Sequence, residues 1–96
     1  MLVRLTEVHH NGTLTTQKEY TLREVFVNPE HVVMIREEVR MKNLNESGML
    51  PKNLDPSHRF TKLTINRGHT GTEIIVVGAP DTVERTLNET KTLLRG

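Results

Sequence analysis

The sequence predicts an α+β domain that is mainly β: about five strands in a mostly antiparallel sheet or partly closed small barrel, with one C-terminal helix. Three observations lead there. Short runs rich in Val, Ile, Phe and Thr are separated by turns carrying Asn, Gly and Pro. One run, Ile74-Ile75-Val76-Val77, is apolar at every position, as a central strand buried on both faces should be. Only the stretch after Pro80 places its apolar residues at helical spacing.

The first strand is predicted over Leu2–Val8, where Val3 and Leu5 share one parity and Leu2 and Val8 the other. Asn11-Gly12 then marks a hairpin turn, because both turn positions need positive φ. Residues 13–19 are polar and fit an edge strand or a loop. Tyr20–Val27 carries Leu22, Val25, Phe26 and Val27, residues that suit a pleated surface, and Asn28-Pro29-Glu30 ends it. A third strand is predicted from Val32 to about Met41. A helix is the rival reading for Val32–Lys42, but Val-Val, Ile and Val at period two favour the strand. Val33, Ile35, Glu37, Val39 and Met41 fall on one of its faces, and Val32, Met34, Arg36, Glu38, Arg40 and Lys42 on the other.

Residues 43–58 read as a long polar loop containing Gly48, Pro51 and Pro56, with Leu44, Met49, Leu50 and Leu54 set within it. Loops of this length are commonly functional, and these four side chains are the candidate partner-binding loop. Arg59–Asn66 is the fourth strand. Arg67-Gly68-His69-Thr70-Gly71 turns into the fifth, Glu73–Val77. Asp81-Thr82-Val83-Glu84 has the spacing of a capping box, with Pro80 just outside the helix it opens. Val83, Leu87 and Leu94, with Thr90, form the stripe that covers one face of the fifth strand. Its other face needs a second cover: a barrel interior, the long loop, or another copy of the chain.

Ninety-six residues make one domain, 1–96. Apolar residues are 34% of the chain, below the usual roughly 45–50% (a scale that also counts Gly), so a lone copy would have a thin core and would gain from pairing with itself. With no cysteine there is no disulfide, thiolate metal site or thiol nucleophile. The N-terminal residues hold no apolar run of signal-peptide or membrane-span length. A cytoplasmic location without membrane attachment is the expectation.

Function has less to stand on. The five histidines, His9, His10, His31, His58 and His69, fall at turns and strand ends with no i,i+4 pair, so no metal or other cofactor is expected. There is no nucleophile elbow, P-loop or dinucleotide fingerprint, and the chain is not expected to be an enzyme. Gly68-His69-Thr70-Gly71 has the spacing of a KH clamp but joins strands instead of helices. The net charge of +1 is neutral on nucleic acid, although the middle of the chain is mildly basic. Arg36, Arg40 and Lys42 share a predicted strand face that Lys62 can join, giving a candidate nucleic-acid or partner-binding face. Against nucleic acid stand Glu38 in the same row and a scarcity of aromatics for base stacking, only Tyr20, Phe26 and Phe60. Glu37, on the apolar parity, reads as a charge guarding a sheet edge.

Three segments carry a family resemblance: 26–35 (FVNPEHVVMI), 61–68 (TKLTINRG) and 75–83 (IVVGAPDTV). Together they resemble the FlbD family, small bacterial proteins associated with flagellar genes, over less than half of the chain. The shared grammar is an Asn-Pro-acid turn into a strand, a strand ending in Asn-Gly, and a strand leading to a short acid-capped helix. Here Arg67 interrupts the Asn-Gly, and residues 43–58 have no counterpart. The resemblance implies a similar small β fold and no assigned activity. The chain is also similar in texture to small tailed-phage proteins. The function expected is a small non-catalytic interaction or regulatory module that self-associates, with a possible protein partner at loop 43–58. The alternative is an RNA- or single-strand-binding β domain.

Overall fold

The structure is a computed structural model that describes residues 2–10, 20–48, 50, 54–68 and 70–95. Its strands are β1 (Val3–His10), β2 (Tyr20–Val27), β3 (Val32–Glu37), β4 (Phe60–Arg67) and β5 (Thr70–Val77). They form one five-stranded sheet in the order β2-β1-β5-β4-β3, and each neighbouring pair is antiparallel. The all-apolar run therefore lies at the centre, as expected. The sheet is open, so the barrel alternative does not hold. Each face already has a helix against it, and neither is left to line a barrel interior.

There are two helices, not one: α1 (Val39–Glu46) and α2 (Pro80–Arg95). The predicted third strand to Met41 stops at Glu37 because Glu38 ends it twice. Its N–H donates to the Phe60 carbonyl at 2.9 Å, the last bond to β4. Its carboxylate then accepts from the Arg40 N–H at 3.3 Å, capping a new helix. The expected loop over 43–58 is shortened accordingly, since Asn43–Glu46 is helical. The first strand runs on to His10, and the fifth begins at Thr70. The predicted turn at Asn11-Gly12 and the polar stretch 13–19 lie outside the described residues.

Two apolar clusters sit on opposite faces of the sheet, as the alternation of β5 requires. Val76 joins Val3, Leu63, Val83 and Leu87 under α2, with Leu5, Val32, Ile35, Ile65 and Ile74 packed around them. Ile75 and Val77 turn to the other side, where Val8, Met41, Leu50 and Phe60 are buried beside Tyr20, Leu22, Leu44 and Leu54. The second cover of β5 thus comes from α1 and the segment that follows it. A second copy of the chain is not needed there.

The β5–α2 junction rests on Gly78, whose φ of +126° disfavours any other residue. Its N–H donates to the Arg59 carbonyl at 2.7 Å, and its carbonyl accepts from Thr61 Oγ1 at 2.8 Å. That bond pairs a hydroxyl on a side chain with no exposed surface. The helix starts two residues earlier than the capping box suggests, with Ala79 and not Asp81 in the cap position. Pro80 is its first residue, where a missing N–H costs nothing, and Asp81 lies in the first turn, where the helix dipole favours a carboxylate. Among the described residues, no helix is long and apolar enough to cross a membrane.

Candidate interaction surface

Only part of the predicted basic face comes together. Arg36 on β3 stands directly opposite Lys62 on β4. Arg40 and Lys42, placed on the same strand row by the sequence, belong to α1 instead, because the chain leaves the sheet at Glu38. Acids are interleaved with these cations. Lys62 Nζ lies 3.3 Å from Glu38 Oε2, and Lys42 Nζ lies 3.6 Å from Glu46 one helical turn on. Further along the same sheet face, Arg4 pairs with Glu24 at 3.4 Å. A phosphate backbone would have to compete with a carboxylate at each of these three positions. Arg36 differs: its Nη2 reaches the Met34 sulfur at 3.3 Å, and both side chains are exposed.

The candidate partner loop is largely committed to the chain's own core. Leu50 is buried, and Leu44 and Leu54 pack against the same cluster, beneath which Phe60 has no exposed surface. Met49 lies outside the described residues. The end of the segment is fixed by its own hydrogen bonds. Buried Asn45 donates to the Asp55 carbonyl at 2.8 Å. Asp55 accepts from the Ser57 N–H and hydroxyl, each at 2.8 Å, and these bonds hold its carboxyl below its ordinary range. Ser57, His58 and Asp55 adjoin one another, but the Ser57 hydroxyl points to the carboxylate and not to the imidazole. Among the described residues, no three His, Cys, Asp or Glu side chains group so as to hold a metal ion.

What periodicity did not single out are two pairs of exposed apolar side chains, towards opposite edges of the sheet. Leu2 is 58% exposed, Phe26 55%, Val33 60% and Met34 43%. They flank the single 3-10 turn Pro29–His31, which joins β2 to β3. That turn is fixed by Asn28, whose side chain accepts from the Glu30 N–H at 3.0 Å. On one side of it a groove of about 370 Å³ includes Leu2, Val25, Phe26, His31 and Ile65. On the other a groove of about 220 Å³ runs between β3 and α2, with Val33, Ile35 and Leu87 as its apolar lining and Glu84 and Asn88 as its polar lining.

The exposure of Val33 has a local cause. The register of β3 on β4 shifts between Val32 and Met34, a bulge that inserts Val33 as an extra residue. Val32 therefore joins Ile35 on the α2 side, and Val33 is turned out of the row assigned to it from the alternation. A lone Val-Val pair in the sequence gives no sign of such a bulge. The Asn-Pro turn before it was the available signal that this edge begins irregularly.

Glu37 closes the far end of β3. Arg59 grips its carboxylate with Nε at 2.7 Å and Nη2 at 2.9 Å. Hydrogen bonding from Arg59 comes first in holding the Glu37 carboxyl below its ordinary value, against some desolvation, with the charges of Arg59 and then Lys42 adding to it. The Arg59 guanidinium is pushed the opposite way by the same partner. Compared with family models, curated proteins and solved structures, the chain finds no match.

Proposed function

We propose that the chain is a small non-catalytic interaction module that associates with copies of itself. The observation that carries this reading is two pairs of exposed apolar side chains joined by the Pro29–His31 turn, Leu2 with Phe26 and Val33 with Met34, each pair lining a groove. Single exposed apolar residues are ordinary, whereas exposed apolar pairs that line grooves mark candidate interfaces. The thin apolar composition supports the same reading, since a second copy would cover surface that the chain leaves wet. Nucleic-acid binding is the weaker alternative, because the cations on that sheet face are interleaved with carboxylates.

Molar mass in solution tests the proposal. Light scattering over a concentration series should rise from the 11.0 kDa of one chain towards twice that value. The mass should not change when a short mixed-sequence RNA is added. A mass that stays at one chain throughout would sink the self-association reading, and a complex formed only with RNA would favour the alternative.

A further inference from the structure

We infer that the contact between copies is the free edge of β3, paired antiparallel with β3 of a second copy, with Ile35 on the two-fold axis. The inference rests on the self-association reading and specifies its register.

Backbone alternation determines which groups face outward. In an antiparallel ladder, residues that exchange hydrogen bonds with the neighbouring strand alternate with residues whose N–H and C=O point away. Glu38 donates to Phe60, so within the same register Arg36 (opposite Lys62) and Met34 (opposite Thr64) also bond to β4. The N–H and C=O of Ile35 and Glu37 therefore face the open edge, since β3 ends the strand order.

Two symmetric registers pair Ile35 with strand residues beyond the bulge; a third, with Glu37 on the axis, would set Glu37 against Glu37. Placing Arg36 on the axis would set Arg36 against Arg36, and Ile35 against Glu37. Placing Ile35 on the axis sets Ile35 against Ile35, Met34 against the second copy's Arg36, and Val33 against its Glu37. Charge and apolar complementarity select the second arrangement, because like charges directly opposed destabilise a cross-strand pair. The Met34–Arg36 match repeats across the axis a contact already made within one chain, where guanidinium and sulfur lie 3.3 Å apart. The charge at the strand end does not guard this edge, because Arg59 holds the Glu37 carboxylate in a two-pronged grip. The groove between β3 and α2 offers the incoming Ile35 side chain an apolar wall at Leu87. Two-fold pairing of this kind is closed and would stop at the dimer, giving one continuous ten-stranded sheet.

Charge substitutions at exposed Met34 read the register directly. Met34→Lys would oppose Lys to Arg36 at both symmetric positions and should raise the dimer dissociation constant by about tenfold or more. Met34→Glu would oppose Glu to Arg36 and should leave the constant unchanged or lower it. The same signature appears in cross-linking, which is clean because the chain has no cysteine. Met34→Cys and Arg36→Cys should each resist oxidation to a dimer alone. Mixed, they should form a disulfide, because non-hydrogen-bonded pairs bring Cα atoms to about 4.5 Å. A wild-type chain that scatters as a monomer overturns self-association altogether. A wild-type dimer that responds equally to Lys and Glu at position 34, or whose mixed cysteine variants do not cross-link, overturns this interface and leaves self-association standing.

Discussion

At the scale of single residues, the pair Glu37–Arg59 shows how little an exposed charge contributes on its own and how it can still be read. Both side chains are substantially solvated, so the pair adds modestly to stability despite good two-pronged geometry. Its signature is a pH dependence. The Glu37 carboxyl titrates below its ordinary value of 4.5 in the folded chain, so its contribution is present above that value and is lost as pH falls through the folded titration. Glu37→Gln should therefore melt below wild type at neutral pH, and the two melting curves should converge in acid. A gap that persists in acid would show that the side chain acts through packing and not through charge. Read from sequence, Glu37 stood out as a carboxylate on an apolar parity, and its position on an edge strand was legible. Its partner was not, because Arg59 lies twenty-two positions away and only the β3–β4 register brings the two together.

At the scale of elements, the fifth strand and the C-terminal helix were the most legible parts. Four consecutive aliphatics admit few placements other than the middle of a sheet, and Val83 and Leu87 at helical spacing supply a cover. The join between them depends on Gly78. An added Cβ would meet Val83 Cγ2 at 3.4 Å, and the φ of +126° would be strained for any side chain. Gly78→Ala should cost about 1–3 kcal/mol in chemical denaturation. A neutral result would mean that the turn relaxes to another conformation. The β3–α1 boundary was illegible for a physical reason. Val39 and Met41 extend the alternation of β3 by two steps, yet Met41 and Leu44, three apart, also fit a helical face. Local pattern does not choose between these readings. The Glu38 cap and the packing of Met41 against Phe60 do. The same boundary explains why the basic row from Arg36 to Lys42 dissolved.

At the scale of the whole molecule, the chain builds three layers from very little apolar material: α2, the sheet, then α1 with Leu50 and Leu54. Both interfaces bear weight. Leu63 faces α2 and Phe60 faces α1, and neither has exposed surface. Leu63→Ala should cost about 2–5 kcal/mol and Phe60→Ala about 3–5 kcal/mol in equilibrium unfolding. A small loss at Phe60 would mean that α1 and the segment after it form a loose flap instead of a second core. Substituting Ile75 or Val76 with Glu cannot report on self-association, because each faces one of the chain's own cores and unfolding would come first. The interface has to be sought at exposed positions instead, and Met34 is one where folding is least at risk.

The strand order also governs how the chain comes into being. β1 and β2 pair at once as neighbours in sequence, but the other flank of β1 waits for β5, with Glu7 opposite Val76. A ribosome must deliver most of the chain before that seam can close. Until then Val3, Leu5 and Val8 project from a lone hairpin with no layer over them. Vectorial synthesis thus leaves the N-terminal hairpin unshielded longest, and that interval is when chaperones would have most to hold.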